Sequence, residues 1–278
     1  MESSGDLTNQ NPDELSAYIL LSEFRKPLIN LIIKSVDLPN GSTGLDAGCG
    51  IGAYTSLLAK AVGLKGAVVG LDISEEFISY ANKNKRENTQ FEIGDINSLD
   101  HLESESFDWI WSTDTVWPGP KELGCSCKKP KGIVDGFYRL LKPRGDIFLL
   151  FWTSHKFLPG YPLLEAKLNT STGATAPFVS GMHPMDHIMS AKNWLVGSGF
   201  KGVLAKTYVS DINGPLDQNT RKALQILFQM FWGEAEDTVS KEDWNEYKKL
   251  TNPNSRKNIL DRNHYYGFYT YSLFKGVK

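Results

Sequence analysis

The stretch LDAGCGIGAYTS, residues 45–56, carries three closely spaced glycines after a short apolar run. Glycines at the end of a strand let the backbone turn tightly, and a helix that follows them offers unpaired N–H groups to an anion. Gly48, Gly50 and Ala53 match the G-x-G-x-x-G/A loop of dinucleotide-binding folds. The tighter run of Gly48, Gly50 and Gly52 favours a different adenosine ligand. The stretch therefore predicts a cofactor that contains adenosine and leaves its identity open.

Apolar runs of strand length alternate with helical patterns around this loop. Such alternation implies right-handed crossovers and a doubly wound, mostly parallel sheet with helices on both faces. We expect an α/β fold of Rossmann-like type with seven strands, of which the last is antiparallel. The predicted strands are 43–47, 67–71, 90–93, 107–112, 146–152, a segment near 203–209 and the aromatic-rich end at 265–276. The predicted helices are 54–62, 74–85, a short one near Ser98, 131–141 and 191–197.

The N-terminal region differs from the alternating part. Residues 1–12 are polar and predict a flexible arm, followed by a single domain over residues 13–278. Between residues 13 and 36, apolar side chains recur at helical spacing. Proline disrupts a helix interior, so Pro27 is expected to divide this stretch into two helices that precede the sheet.

Two insertions interrupt the alternation in the C-terminal half. They span about residues 155–190 and 211–263, and we interpret them as a lid over the substrate. An amphipathic helical stripe that ends near Gly233 lies in the second insertion and consists of Leu224, Leu227, Phe228 and Phe231.

The composition is that of an ordinary globular protein, with 41% hydrophobic and 22% charged residues and a net charge of −2. Its lysines and arginines are scattered, which argues against nucleic acid as a partner. The apolar run 147–152 is far shorter than the roughly 20 residues that span a bilayer. No targeting signal is visible, so we expect a cytoplasmic protein that is a monomer or a homodimer.

The cysteines predict neither a disulfide framework nor a zinc site. There are three, Cys49, Cys125 and Cys127, without a C-x-x-C spacing. No metal site is therefore expected, although the close pair Cys125 and Cys127 stays open as a soft-ion or redox pair.

Three aspartates near predicted strand ends help to distinguish the cofactors. Asp46 precedes the first glycine by two residues, where it would repel a pyrophosphate and favour a ligand with an ammonium group. Asp72 follows the second strand and can accept hydrogen bonds from the ribose diol of either cofactor. Asp95 follows the third strand and can accept the exocyclic amine of adenine. Asp46 therefore favours an adenosine ligand that carries a positive charge.

In this order and on these strand ends, Asp46, the glycines, Asp72 and Asp95 resemble the class I S-adenosylmethionine-dependent methyltransferases. LDAGCGIG fits the first motif of that family, and GLDIS, GDI and FDWIWSTD fit the second, third and fourth. LLKPRGDIFLL resembles the stretch that leads into its fifth strand. The resemblance covers roughly residues 38–152. Within that family, the sequence most resembles the broad group of enzymes of menaquinone and ubiquinone biosynthesis. Five motifs in register outweigh a lone G-x-G-x-x-A match.

The resemblance implies S-adenosylmethionine as the cofactor and S-adenosylhomocysteine as its product. The amino-acid end of the cofactor would lie over the loop from Gly48 to Gly52, Asp72 would hold the ribose and Asp95 the adenine amine. The other residues that the resemblance places around the cofactor are Ile73 and Ile96 at adenine and Ser112 and Thr113 at the sulfonium, and Tyr18 is expected to cover the site.

The sulfonium already activates the methyl group, so such an enzyme mainly holds a nucleophile in line and excludes water. The stretch STDTVWPGP lacks an Asn/Asp-Pro-Pro-Tyr motif, and with the near-neutral charge this favours a small, partly apolar or aromatic acceptor. Trp117, Trp152 and Phe178 are predicted to line its pocket. The candidates for a general base are His155, His183 and His187, each of which has a structural role as its alternative.

Two other functions stay open at this point. The first is a nucleotide-dependent oxidoreductase that binds NAD(H) or NADP(H) at the same loop. The second is a regulatory protein that binds S-adenosylmethionine without turnover. A titration with NADH distinguishes the oxidoreductase from a methyltransferase. A search for methylated products distinguishes the regulatory protein from a methyltransferase.

Overall fold

The computed structural model describes residues 14–118, 127, 129–176 and 181–278. The expected arm at 1–12, Cys125 and Phe178 lie outside these described residues. The strands are β1 (Thr43–Ala47), β2 (Ala67–Asp72), β3 (Thr89–Ile93), β4 (Phe107–Thr113), β5 (Leu141–Lys156), β6 (Lys201–Asn213) and β7 (Tyr266–Val277). The helices are α1 (Glu14–Val36), α2 (Thr55–Val62), α3 (Glu75–Lys83), α4 (Pro130–Leu140), α5 (Pro162–Leu168), α6 (Thr172–Thr175), α7 (Ala191–Gly197), α8 (Gln218–Trp232) and α9 (Lys241–Thr251).

The seven strands form one sheet in the order β3-β2-β1-β4-β5-β7-β6. Neighbouring strands from β3 to β5 are parallel, whereas β7 is antiparallel to both β5 and β6. This confirms the predicted mostly parallel, Rossmann-like sheet with an antiparallel last strand. The strand order reverses between β1 and β4, so their carboxyl ends open a crevice of the kind in which ligands of such folds bind.

Helix α1 is continuous, so the predicted break at Pro27 is wrong. Its buried residues fall on both sides of the proline and include Leu21, Leu28 and Ile32. The hydroxyl of Tyr269 also donates a 3.3 Å hydrogen bond to the carbonyl of Phe24, three residues before the proline. Packing and this bond hold the helix together where local propensity alone predicts two pieces.

Two further expectations differ from the structure. The short helix near Ser98 is absent, because that segment runs as turns in which Oδ1 of Asp95 accepts the backbone N–H of Asn97 at 2.8 Å. Strand β5 extends beyond the predicted 146–152 at both ends: Leu141 pairs with Phe107 of β4, and the carboxyl end pairs with the long strand β7 as far as Lys156. The first insertion therefore begins after Lys156.

The predicted stripe in the second insertion forms the inner face of α8. Leu224, Leu227 and Phe228 are buried, and Phe231 is half-buried and packs against the same cluster. Helix α8 contacts both α1 and α6. The inserted segments and the N-terminal helix therefore share one apolar cluster. Across the described ranges, the helices are too short or too polar to cross a bilayer.

Candidate cofactor and acceptor site

The glycine loop leaves β1 with backbone conformations that favour glycine. The N–H groups of Gly48 and Cys49 donate to the carbonyl of Leu71 at 2.8 and 3.0 Å, which fixes the loop against β2. Gly48 has φ +77°, and a Cβ there would lie 2.1 Å from the side chain of Thr115. Gly50 has φ +53°, and a Cβ there would meet nothing within 4 Å. Gly48 therefore serves packing, whereas the backbone at Gly50 faces open space that a ligand can enter.

Asp72 ties this loop to the end of β2. Its Oδ2 accepts the N–H of Gly50 at 2.7 Å, and its Oδ1 accepts the N–H of Ser74 at 3.0 Å. Each carboxylate oxygen keeps a further lone pair for a second donor. The half-buried carboxylate is thus placed beside the open part of the loop with the acceptor capacity that a ribose diol requires.

Asp46 lies beneath the loop, with 2% of the residue exposed. The hydroxyl of Thr55, in the first turn of α2, donates to its Oδ2 at 2.6 Å. Burial raises the pKa of Asp46 to about 7, the Thr55 bond opposes this rise, and the charge of Asp72 adds to it. A cation above the loop would favour the ionised form, as expected for a ligand that bears an ammonium group.

The residues expected around adenine follow two adjacent strands. β2 and β3 pair in parallel with Asp72 opposite Ile93, so the segments after both strands lie at one edge of the sheet. Ile73 is 68% exposed there, whereas Ile96 is buried. Asp95 is half-buried and accepts the backbone N–H of Asn97. The structure thus brings these predicted residues to the same edge as Asp72.

Ser112 and Thr113 end β4 with buried side chains. The Ser112 hydroxyl donates to the carbonyl of Ala47 at 2.9 Å, and that of Thr113 accepts the indole N–H of Trp111 at 2.7 Å. Both hydroxyls are therefore engaged by protein groups at the place where the sulfonium is expected.

Tyr18 reaches toward the cofactor edge from α1. Its ring centroid lies 4.5 Å from that of Phe77, in the first turn of α3. Burial raises the pKa of Tyr18, the positive charge of Arg25 opposes the rise, and Asp72 and Asp114 both add to it. The phenol is thus within electrostatic reach of carboxylates at the ends of β2 and β4, a position consistent with a cover over the site.

A polar cluster of Arg25, Asp114 and Tyr271, termed the Asp114 cluster, lies beside this site and was missed by the sequence analysis. Oδ2 of Asp114 accepts the hydroxyl of Tyr271 at 2.5 Å and lies 3.6 Å from Nη1 of Arg25. Oδ1 accepts the backbone N–H of Trp152 at 2.7 Å. The position of Asp114 directly after β4 was a usable signal, but no local pattern marks Arg25 or Tyr271 as its partners.

The predicted acceptor-pocket residues have different surroundings. Trp152 is half-buried and stacks on Tyr269 at 4.7 Å between ring centroids, and its backbone N–H donates to Asp114. Trp117 is half-buried, and its buried indole N–H has no hydrogen-bond partner among the described residues. Trp152 is therefore the predicted pocket residue that the structure ties to Asp114.

His155 lies in an aromatic core. Its ring stacks on Phe157 at 4.7 Å and on Phe231 at 4.4 Å, and its Nδ1 accepts the indole N–H of Trp152 at 3.3 Å. Burial, aided by the charge of Lys156, lowers the pKa of His155 to about 4. These contacts favour the structural alternative for His155 over its candidate role as a base.

His183 and His187 cap short turns. Their Nδ1 atoms accept the backbone N–H groups of Met185 and Met189, both at 3.2 Å. Burial lowers the pKa of His187. Among the described residues, no group of three or more histidine, cysteine or acidic side chains could hold a metal ion.

Comparisons with known proteins agree with this geometry. The family described as a methyltransferase domain matches residues 38–172. The demethylmenaquinone methyltransferase of Lactobacillus johnsonii is 31% identical over 193 residues, which are 62% of this chain and 72% of that enzyme. That of Oceanobacillus iheyensis is 30% identical over 132 residues, 46% of this chain and 52% of the relative, so the chain spans about half of that relative's length.

The fold is also found among solved structures. A putative methyltransferase from Bacillus halodurans aligns with a TM-score of 0.51 at 15% identity, covering 90% of this chain and 98% of that one. At that identity the likeness concerns the fold alone. Together with the relative from Lactobacillus, the motifs and the strand order lead to one conclusion. The chain belongs to the class I S-adenosylmethionine-dependent methyltransferases of the menaquinone and ubiquinone type.

Proposed function

We propose that this protein transfers a methyl group from S-adenosylmethionine to a small, partly apolar or aromatic acceptor. The observation that carries the proposal is the placement of Asp72, whose carboxylate accepts the N–H of Gly50, the loop glycine at which a Cβ would meet nothing within 4 Å. This arrangement fits a ribose at Asp72 and the amino-acid end of the cofactor over Gly50. Family membership supports the same assignment.

The residues of the chain then have separate tasks. Asp72 binds the ribose, Ile73 and Ile96 enclose adenine, and the charge of Asp46 favours the ammonium group. The bound cofactor supplies a methyl group that is already activated by its sulfonium. The protein has to orient the acceptor and exclude water, which accounts for a substantial part of the rate enhancement in such reactions.

The strand order argues against the oxidoreductase alternative. Dinucleotide-binding folds of the Rossmann type arrange their strands as 3-2-1-4-5-6. Here β7 lies between β5 and β6 and runs antiparallel to both. The sheet therefore departs from that fold on the side that would carry the second nucleotide-binding half.

The acceptor is best accommodated beside the Asp114 cluster. The half-buried Trp152 offers aromatic surface there, and two buried rings support it: Tyr269 is stacked on Trp152 and Tyr271 is edge-on to it. Helices α1 and α8 pack against each other next to this surface. On this basis we assign the role of a substrate lid to the described parts of the two inserted segments, which follow β5 and β6.

Isothermal titration calorimetry with S-adenosylhomocysteine tests the cofactor. The wild type should bind it at one site per chain, and Asp72→Ala should weaken binding by at least about tenfold because two backbone-anchored acceptors are lost. Asp100→Ala, at an exposed turn, is the matched control and should bind normally. A folded protein that binds NADH but neither S-adenosylmethionine nor S-adenosylhomocysteine would refute the proposal.

Turnover requires a separate measurement. A metabolite extract incubated with the protein and isotopically labelled S-adenosylmethionine should yield a labelled small molecule by mass spectrometry. Asp72→Ala serves as the negative control. If the cofactor binds but no labelled product forms, the protein is a binder without turnover.

A further inference from the structure

The Asp114 cluster, formed by Arg25, Asp114 and Tyr271, joins three distant parts of the chain. Arg25 lies on α1, Asp114 follows β4, and Tyr271 lies on β7. Nη1 of Arg25 is 3.6 Å from the carboxylate and 3.4 Å from the Tyr271 hydroxyl. Tyr271 is fully buried, whereas the side chains of Arg25 and Asp114 are 17% and 16% exposed. Tyr271 therefore contacts the ion pair from its buried side, and the other side of the ion pair is accessible to a ligand.

The cluster keeps unused hydrogen-bonding capacity. Oδ1 of Asp114 accepts one bond, from Trp152, and Oδ2 accepts one, from Tyr271. A carboxylate oxygen can accept two. On Arg25, Nε donates to the carbonyl of Leu21 at 3.0 Å, and no bond from Nη2 to the described residues is present. Enclosed polar groups are normally satisfied, so a ligand group that both donates and accepts fits this place.

The cluster adjoins the glycine loop. The hydroxyl of Thr115, the residue after Asp114, donates to the carbonyl of Gly48 at 3.3 Å. Asp114 itself has φ +50°, a left-handed conformation that aspartate tolerates, and its N–H bonds to the carbonyl of Leu150. The turn thus fixes the Asp114 carboxylate next to Thr115, the residue that contacts the glycine loop.

The charges restrict the acceptor group. An ammonium group at Asp114 would also meet the positive charge of Arg25, and a carboxylate at Arg25 would meet the negative charge of Asp114. A neutral hydroxyl avoids both conflicts, because it can donate to Asp114 and accept from Arg25. The half-buried Trp152, whose backbone N–H bonds to Asp114, offers aromatic surface to the body of such an acceptor, and the buried Tyr269 is stacked behind it.

We infer that Asp114 is the proton acceptor of the methyl transfer and takes the proton of a neutral hydroxyl group on the acceptor molecule. The inference rests on the proposed function. The O–H bond breaks and leaves its electron pair on oxygen, that oxygen forms a bond to the methyl carbon, and the S–CH₃ pair returns to sulfur. The products are a methyl ether, S-adenosylhomocysteine and a protonated Asp114, which returns its proton to water. Tyr271 and Arg25 position the carboxylate and the acceptor oxygen.

The electrostatic surroundings favour this role. Burial raises the pKa of Asp114, and the charge of Arg25 with the bonds from Tyr271 and the Trp152 N–H opposes the rise. The phenols of Tyr18 and Tyr54 also lie within electrostatic reach of this carboxylate. A more basic carboxylate is a better proton acceptor.

Two probes of equal shape test the hydroxyl contact. 4-Ethylphenol carries the hydroxyl, which stays neutral at working pH because an unactivated phenol has a pKa of about 10, and 4-ethyltoluene has a methyl group in its place. Equilibrium dialysis against protein saturated with S-adenosylhomocysteine should show 4-ethylphenol bound at least about tenfold more tightly by the wild type. In Asp114→Asn this preference should fall to about twofold, while S-adenosylhomocysteine affinity changes by less than about twofold.

Asp114→Asn leaves Arg25 without its charge partner and can fail to fold. The double variant Arg25→Gln with Asp114→Asn removes both charges and should also lose the preference. Tyr271→Phe should weaken the preference in part, because the carboxylate is retained but loses its 2.5 Å donor. Equal binding of both probes by the wild type, or an undiminished preference in folded variants, overturns the inference.

Turnover of 4-ethylphenol tests the proton transfer itself. With labelled S-adenosylmethionine, the wild type should form labelled 4-ethylanisole, and Asp114→Asn should slow its formation by about 100-fold or more. A variant that forms the ether at the wild-type rate overturns the inference. So does loss of S-adenosylhomocysteine binding in Asp114→Asn equal to that in Asp72→Ala, because Asp114 would then belong to the cofactor site. Failure of the wild type to bind the cofactor at all refutes the proposed function instead.

Discussion

The hydroxyl of Thr55 donates a 2.6 Å hydrogen bond to Oδ2 of Asp46, a carboxylate that is almost fully enclosed beneath the glycine loop. One bond does not compensate for burial, and the pKa of Asp46 rises from 3.8 to about 7. The folded protein therefore binds a proton here over a pH range in which the unfolded chain has released it. The site keeps a carboxylate whose ionisation costs stability, as expected for a group that serves a ligand.

Replacing Asp46 by Asn should stabilise the protein most at alkaline pH. Because the folded pKa lies above the unfolded one, wild-type stability falls as pH rises from about 4 to about 7 and then levels off. The gain from Asp46→Asn in the free energy of unfolding should be larger at about pH 8 than at about pH 5, by roughly 2 to 3 kcal/mol. Urea denaturation at the two pH values measures this.

Asp108→Asn is the control for that experiment. Burial raises the pKa of Asp108, but hydrogen bonds from Lys142 and the N–H of Thr43 outweigh it and hold the pKa below its usual value. Its titration lies below both test pH values, so the effect of this variant should be the same at each. A gain from Asp46→Asn that does not depend on pH would contradict the assignment.

Gly50→Ala should separate ligand binding from folding. Alanine at φ +53° costs about 1 to 2 kcal/mol, and its Cβ enters open space in the free protein. We expect a small loss in melting temperature and at least about a tenfold loss of S-adenosylhomocysteine affinity. Gly160→Ala is the matched control, because Gly160 has φ +88° with nothing near its Cβ but lies after β5. It should lose the same stability and retain affinity.

Gly48→Ala should act mainly on folding. Its Cβ would lie 2.1 Å from the side chain of Thr115, and that residue is fixed by bonds to the carbonyls of Thr113 and Gly48. We expect a loss in the free energy of unfolding larger than for Gly50→Ala, measured by thermal denaturation without ligand. If both variants lose equal stability, the distinction between packing and ligand surface is wrong.

His155→Gln should change stability and leave the pH profile of methyl transfer unchanged. Since burial lowers the pKa of His155 to about 4, the unfolded chain takes up a proton before the folded protein does. Wild-type stability is therefore lost as pH falls from about 6.5 to about 4. At about pH 5 this loss in the free energy of unfolding is roughly 2 kcal/mol, and the variant does not show it. The exposed His264→Gln is the control. A shifted pH–rate profile would identify His155 as a base after all.

The positions of the candidate cofactor residues could be predicted from the sequence because their signals are local. Asp72 and Asp95 each follow a recognisable strand directly, and parallel strands bring their carboxyl ends to one edge. The glycines mark the loop between β1 and α2. Short-range patterns therefore located most of these residues before any tertiary contact was known.

The acceptor side was not predictable in the same way. Arg25 and Tyr271 are 246 residues apart in sequence, and they meet because α1 crosses to the strand β7, which is inserted between β5 and β6. No hydrophobic period or turn signal reports such a meeting. The length of β5 was missed for a related reason, since its last residues are strand only by pairing with β7.

Pro27→Ala tests how far tertiary packing compensates for the proline in α1. Pro27 is exposed, and alanine there restores a backbone donor within a continuous helix. We expect the free energy of unfolding to rise by about 1 to 3 kcal/mol in urea denaturation. Pro39→Ala, in the turn after α1, is the control and should bring no gain. A Pro27→Ala protein that is more stable but binds 4-ethylphenol less tightly would show that the proline determines the direction of α1 that brings Arg25 to Asp114. Unchanged stability would mean that the Tyr269 bond to Phe24 already offsets the cost of the proline.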